Sequence, residues 1–241
     1  MLSRRIPWDK ADQRPAALDR TSQYAKGLLY AAKVNERYPL DVVTGARCTW
    51  NNTMVPTTTP MGKGIASDGN YSWLIDTHPS PPTASNLLDM AAFALVHQRA
   101  ATVGMARYIS TMRISAGNYV SSVGFNASGQ FTYGIVGADS IERTITGTTV
   151  ATAGNTYVVY GRRVKGVAME LYVNGVLEAT GPDYTTPNGG TWNAVYSSQG
   201  LGSPYPAETC VLHTYAHWVG VVHTPFQIAE LAANPSVIFA P

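Results

Sequence analysis

The chain has 241 residues, of which 45% are apolar and 13% charged, and its formal net charge is +2. That is ample material for a core and too little charge to single out nucleic acid or an anionic membrane as partner. No apolar run approaches the roughly 20 residues of a membrane-spanning helix, and the charged start MLSRRIPWDKADQRP lacks the apolar segment of a secretory signal.

Residues 1–26 read as an extended N-terminal arm. Arg4, Arg5, Lys10, Arg14, Arg20 and Lys26 alternate with Asp9, Asp12 and Asp19, and large apolar residues are sparse. Pro15 is placed to open a short helix through Ala16, Ala17 and Leu18. Ile6, Pro7 and Trp8 form an apolar anchor. The segment is therefore either a leader or an arm that orders against a neighbouring subunit, with those three residues as assembly contacts.

From Gly27 the pattern becomes extended. GLLYAAKV is a first strand, and YSWLID (71–76) follows a loop rich in Thr, Pro and Gly. Within that loop GKGIAS is too incomplete for a phosphate-binding loop, and Asp68-Gly69-Asn70 reads as a turn rather than a calcium site. MAAFALVHQR (90–99) and MARYISTMRI (105–114) have strand length. NYVSSVGF and QFTYGIV come next, joined by a turn at Asn126-Ala127-Ser128-Gly129; Phe131, Tyr133 and Ile135 alternate with Thr132 and Gly134 as in a half-buried strand. TYVVYGRRV (156–164) leads into AMELYVNGVLEATG, where Asn174-Gly175 between two apolar runs predicts a type I′ hairpin. Such a turn sets Val173 opposite Val176, Tyr172 opposite Leu177 and Glu170 opposite Ala179, with Glu170 and Glu178 on opposite faces.

Residues 181–206 are expected to be a loop that carries Tyr184, Trp192, Tyr196 and Tyr205 among Gly, Ser, Asn and Thr. Flat aromatics with short polar neighbours suit sugar rings, a protein interface, or the anchoring of the loop itself. TCVLHTYAHWVGVV (209–222) is a long final strand. The one convincing helix follows it: Thr224 as N-cap, Pro225 at N1, Gln227 completing a capping box, and Ile228, Leu231 and Ala232 as the apolar stripe before Asn234-Pro235.

Strands at this spacing, with a single terminal helix, predict an all-β, two-sheet antiparallel sandwich of jelly-roll type over residues 27–241. Chemistry is thinly represented. Sugar hydrolysis needs two carboxyl groups about 5–9.5 Å apart, and the acids here lie mostly in turns and read as solvated. His213, His217 and His223 fall on one face of a regular strand, but 213 and 217 are ~13 Å apart in an extended chain, so they read as partly exposed side chains rather than metal ligands. His78 and His97 have no local partners. Cys48 and Cys210 read as free thiols, and Asn51, Asn70 and Asn126 head glycosylation triplets that count only in a eukaryotic secretory pathway. No cofactor, metal site or catalytic residue is expected.

Three separated stretches carry a resemblance. GLLYAAKVNERYPLDVVTGARCTW, LYVNGVLEATG and FQIAELAANPSVIFAP resemble, in that order, the opening strand, the hairpin and the helical ending of laminin-G-like, concanavalin-A-like jelly rolls of bacteriophage virions. Ser236 stands where the Trp after Asn-Pro is usual there. The resemblance implies a concanavalin-A-like sandwich and a non-enzymatic structural protein of the particle surface, in the tail tip or fibre region or on the capsid. It implies a homo-oligomer that meets other virion proteins and is assembled in the host bacterial cytoplasm. The alternative is a carbohydrate-binding module for host-surface glycan, with Trp192, Tyr196, Tyr205 and Tyr184 as the sugar contacts. A glycan-cleaving enzyme is a third.

Overall fold

The computed structural model describes residues 17–34, 39–51, 54–67, 73–77, 83–84, 89–100, 107–114, 119–183, 190–200 and 210–239. In chain order the strands are β1 (Leu28–Lys33), β2 (Thr49–Asn51), β3 (Met54–Thr59), β4 (Gly62–Ser67), β5 (Trp73–Thr77), β6 (Thr83–Ala84), β7 (Met90–Gln98) and β8 (Arg107–Ile114). They continue as β9 (Tyr119–Phe125), β10 (Gln130–Val136), β11 (Glu142–Val150), β12 (Thr156–Val164), β13 (Ala168–Val173), β14 (Val176–Pro182), β15 (Gly190–Gly200) and β16 (Cys210–Val219), followed by the helix α1 (Pro225–Ala233). The first sheet runs β14-β13-β12-β7-β16-β4-β3, with β1 also on β16; the second runs β11-β10-β9-β8-β15-β5-β2, with β6 also on β15. All ladders are antiparallel, and the two sheets form the jelly-roll sandwich that the sequence predicts.

Burial explains the composition of the central strands. Phe131, Tyr133 and Ile135 of β10 are fully buried between the sheets, as their alternation predicts. In β7 both faces are apolar: Ala92, Ala94 and Val96 join the core between the sheets, while Ala91, Phe93 and Leu95 join a second core on the outer side of the first sheet. A strand covered on both sides reads as a continuous apolar run, which is why MAAFALV shows no alternation.

Helix α1 roofs that second core, with Ile228 and Leu231 packed beside Tyr24, Trp218 and Tyr160. Its capping box forms as expected: Thr224 accepts from the Gln227 amide, and the Gln227 side chain accepts from the Thr224 amide at 2.8 Å. The chain before β1 lies against it. The Trp218 Nε1–H donates to the Tyr24 carbonyl at 2.8 Å, and the Tyr24 hydroxyl donates to Glu230 at 2.5 Å. Leu18, which the sequence places in a short helix, instead pairs with Phe239 in a β-bridge; Pro15 and Ala16 lie outside the described residues.

The Asn174-Gly175 turn has the left-handed torsions of a type I′ hairpin, φ 51° and 81°. Val173 opposes Val176 and Tyr172 opposes Leu177 as predicted, but a bulge then sets Leu171 opposite Ala179 and Glu170 opposite Thr180. Three further expectations are corrected. GKGIAS forms strand β4, paired with β3 and β16. The stretch 181–206 is not a loop throughout, since its Gly190–Gly200 portion is a strand hydrogen-bonded on both edges, by β8 and by β5 and β6. The final strand is irregular: its register against β7 shifts between Leu212 and Thr214, so His213 and His217 do not share a face.

Candidate functional site

The outer face of the second sheet can be followed by register. Phe131, Tyr133 and Ile135 point into the core, so Thr132, Gly134 and Val136 lie on the other side. Directly paired residues share a face. Gly134 is opposite Ser122 and Thr144, Ser122 opposite Thr111, Thr111 opposite Tyr196, and Tyr196 opposite Ile75. A parallel row passes through Thr146, Thr132, Gly124, Tyr108 and Gln199.

The middle of this face is floored by Thr111, Ser122, Gly124 and Gly134. Small residues there leave room for a carboxylate to lie on the sheet. A Cβ at Gly134 would collide with Glu142 Oε1. Among the described residues, Tyr108 donates to Glu142 Oε2 at 3.0 Å and Ser122 to Oε1 at 3.2 Å. Beside it Thr144 and Thr146 are exposed. The result is a half-buried carboxylate over the buried hydroxyls of Tyr108, Ser122 and Thr111, flanked by the exposed hydroxyls of Thr144 and Thr146. Such an array matches polyhydroxylated ligands, whose groups both donate and accept.

Of the sugar contacts expected from sequence, Trp192 and Tyr196 belong to β15, while Tyr184 and Tyr205 lie outside the described residues, as do Ile6, Pro7 and Trp8. Tyr196 is opposite Thr111. Trp192 is opposite Ile114, beyond a register shift between Trp192 and Ala194. Sequence reasoning missed Tyr108, Ser122 and Glu142. Only the Thr alternation of ERTITGTTV marks Glu142 as the head of a strand, and nothing local connects it to Tyr108.

The other acids and histidines are bound into the fold. Glu170 pairs with Arg162 at 2.6 Å and accepts from Tyr172 on the α1 side of the hairpin. Glu178 turns the other way, accepting from the Thr148 and Thr149 amides of β11 at 3.0 and 2.9 Å and from the Thr149 hydroxyl. The two are thus on opposite faces, as the sequence predicts. Not all turn acids are solvated: Asp183 forms a buried two-point pair with Arg163 at 2.7 Å, and Asp41 is fully buried with the Ala31 and Val43 amides on one oxygen.

The three C-terminal histidines, expected to be partly exposed, are buried. His213 bonds Thr59 and the Lys63 carbonyl, His217 bonds Ser110 across the sandwich at 2.8 Å, and His223 bonds Tyr160 at 2.8 Å. His97 pairs with Thr156. Burial holds His217 down at about 3 and His213 and His223 at about 4. Among the described residues no three His, Cys, Asp or Glu side chains are grouped to hold a metal; Cys48 and Cys210 are not bonded to each other, and Cys48 Sγ lies 3.2 Å from the Tyr215 hydroxyl.

No family model matches the chain, and no curated protein matches it in sequence. Solved structures do match in fold. The binding domain of paraclostridial mosquitocidal protein 1 superposes with a TM-score of 0.71 at 10% identity, covering 87% of this chain and 52% of that one. The ligand-binding domain of botulinum neurotoxin serotype D, solved with N-acetylneuraminic acid, gives 0.65 at 8% identity, covering 86% and 50%. A botulinum neurotoxin type C structure, from work on cell entry that depends on two ganglioside molecules, gives 0.63 at 12% identity, covering 88% and 51%. The chain thus spans about half the length of the structures it matches.

Proposed function

We propose that this chain is a non-catalytic carbohydrate-binding module whose recognition surface is the outer face of the second sheet. The observation that carries this reading is the Glu142 carboxylate laid over Gly134 between the Tyr108 and Ser122 hydroxyls, in a ladder row whose register leads through Thr111 to Tyr196 of β15. Tyr196 is the aromatic residue type that the register of β15 brings into this row, and Glu142 and the hydroxyls suit the orienting of a sugar ring. The fold is shared with toxin domains solved with a sialic acid or linked to gangliosides, which supports glycan as the ligand class. Glycan-array screening followed by calorimetry tests it. Glu142→Gln keeps the shape and removes the charge, so it and Tyr196→Ala should each weaken binding about tenfold, equivalent to about 1.4 kcal/mol. Wild-type binding by both Glu142→Gln and Tyr196→Ala sinks this assignment, and release of reducing ends from a bound polysaccharide sinks its non-catalytic part.

A second reading makes the chain a structural part of a bacteriophage particle, docking through Ile6, Pro7 and Trp8 and repeated as a homo-oligomer. It is favoured by the root of the arm, which Leu18, Gln23 and Tyr24 fix to the C-terminal segment, giving a docking arm a defined point of departure. Its test is incorporation into particles after deletion of residues 1–16; normal incorporation counts against it.

A further inference from the structure

The connection from β16 to α1 is fastened at one residue. It leaves the strand at Gly220, whose φ of 73° suits glycine, and of residues 220–227 His223 alone is buried. Ring and backbone of that residue are both tied to β12: Nδ1 bonds the Tyr160 hydroxyl at 2.8 Å, and the carbonyl accepts from Arg162 Nη1. The ring stands perpendicular to Trp218 of β16, with centroids 4.8 Å apart, and Tyr24 and Tyr160 lie at 5.0 and 5.8 Å. Its Nε2 is buried without a hydrogen-bond partner. The charges nearby are already engaged elsewhere. Arg162 pairs with Glu170 of β13 at 2.6 Å, Glu170 also accepts from Tyr172, and Glu230 of α1 accepts from Tyr24 and Gln23. A neutral imidazole fits this place. An imidazolium there would hold an unmatched Nε2–H and a positive charge beside a guanidinium, away from water.

We propose that His223 is an acid-released latch, whose protonation undocks α1 from the first sheet while the sandwich stays folded. Opening rehydrates the imidazole, so proton uptake and release of the helix are linked. Burial first, and the Arg162 charge second, hold the docked ring near 4, against 6.5 once it is free. The latch is therefore whole above about pH 6.5 and loosens as pH falls towards 4. With those two values the opening equilibrium of α1 rises about 20-fold from pH 7 to pH 5, and about 100-fold by pH 4. His213 and His217 act elsewhere: they belong to β16 and bond Thr59, the Lys63 carbonyl and Ser110, so their protonation loads the sandwich as a whole. The helix is one short element docked on one side, and such elements open at lower cost than a core sheet. Its release bares the apolar face formed by Tyr24, Phe93, Tyr160 and Trp218. The inference is independent of the glycan reading, which concerns the other sheet.

The test is amide hydrogen exchange of the full chain at pH 7, 6, 5 and 4, expressed as protection relative to the free peptide, with α1 compared against β10. Protection of α1 that falls about 20-fold between pH 7 and pH 5 while β10 keeps its own supports the latch. His223→Gln, which can still bond Tyr160 but does not titrate, should flatten the fall, and His217→Gln should leave it in place. NMR titration of the His223 ring in the wild type needs no variant, and its midpoint should coincide with the loss of α1 protection. Protection of α1 that is indifferent to pH, that falls only in step with β10, or that falls at a pH where the His223 ring does not titrate overturns the proposal.

Discussion

At the scale of single residues, the polar groups inside this sandwich set its pH and mutational sensitivity. Asp183 and Arg163 are each 4% exposed at the side chain and share two hydrogen bonds. Removing one member leaves a buried charge, which costs about 3–5 kcal/mol; Asp183→Asn should lower the urea midpoint accordingly. The buried histidines act through protonation. In the fold they are neutral, held by burial near 3 for His217 and near 4 for His213 and His223, against an ordinary value of 6.5. The unfolded chain takes up those protons first, so stability is whole above about pH 6.5 and is lost as pH falls towards 4. Asp41 works in the opposite sense, because burial raises its carboxyl. Denaturation midpoints measured from pH 7 to pH 4 should fall, and His217→Gln should flatten that fall. An unchanged slope in His217→Gln would show that this imidazole is not the group that titrates.

At the scale of elements, the hairpin and the helix that it touches are one unit. Asn174 and Gly175 hold left-handed torsions, and Gly175 abuts Ala229 and Ala232. Gly175→Ala therefore meets both a torsional penalty and a contact, and should cost about 1–2 kcal/mol. Thr224→Ala removes one arm of the capping box and should cost about 1 kcal/mol; thermal melts resolve both. These two elements are also where the chain is most legible, since a type I′ turn and a capping box are built from residues three or four apart. Strand β15 shows the opposite case. GTWNAVYSSQG has the Gly, Ser and Asn of a loop, and it is extended because β8 on one edge and β5 and β6 on the other accept and donate its backbone hydrogen bonds. Pairing overrides composition there.

At the scale of the whole molecule, distant segments close the sandwich. Glu178 of β14 ties the edge of one sheet to β11 at the edge of the other, and Tyr24 ties the start of the chain to the terminal helix. Deleting residues 1–16 should leave a cooperatively folded protein. Deleting residues 1–26 also removes the fully buried Tyr24, and loss of a large buried ring costs about 3–5 kcal/mol. The second truncation should melt well below the first in calorimetry; equal melting temperatures would show that residues 17–26 contribute nothing to the fold.

What the sequence settles unaided is whatever is encoded by neighbours along the chain: the alternation of Phe131, Tyr133 and Ile135, the Asn174-Gly175 turn, the Thr224 cap and hence an all-β sandwich with one terminal helix. What tertiary structure alone decides is every relation across strands. Tyr108 reaches Glu142 from 34 residues away and His217 meets Ser110 from 107 away. A bulge moves Glu170 from Ala179 to Thr180, and the register of β15 shifts between Trp192 and Ala194. The reason is that a strand's side-chain period is two, so one inserted residue sends a side chain to the other face. Which face it reaches depends on partners that local sequence does not specify.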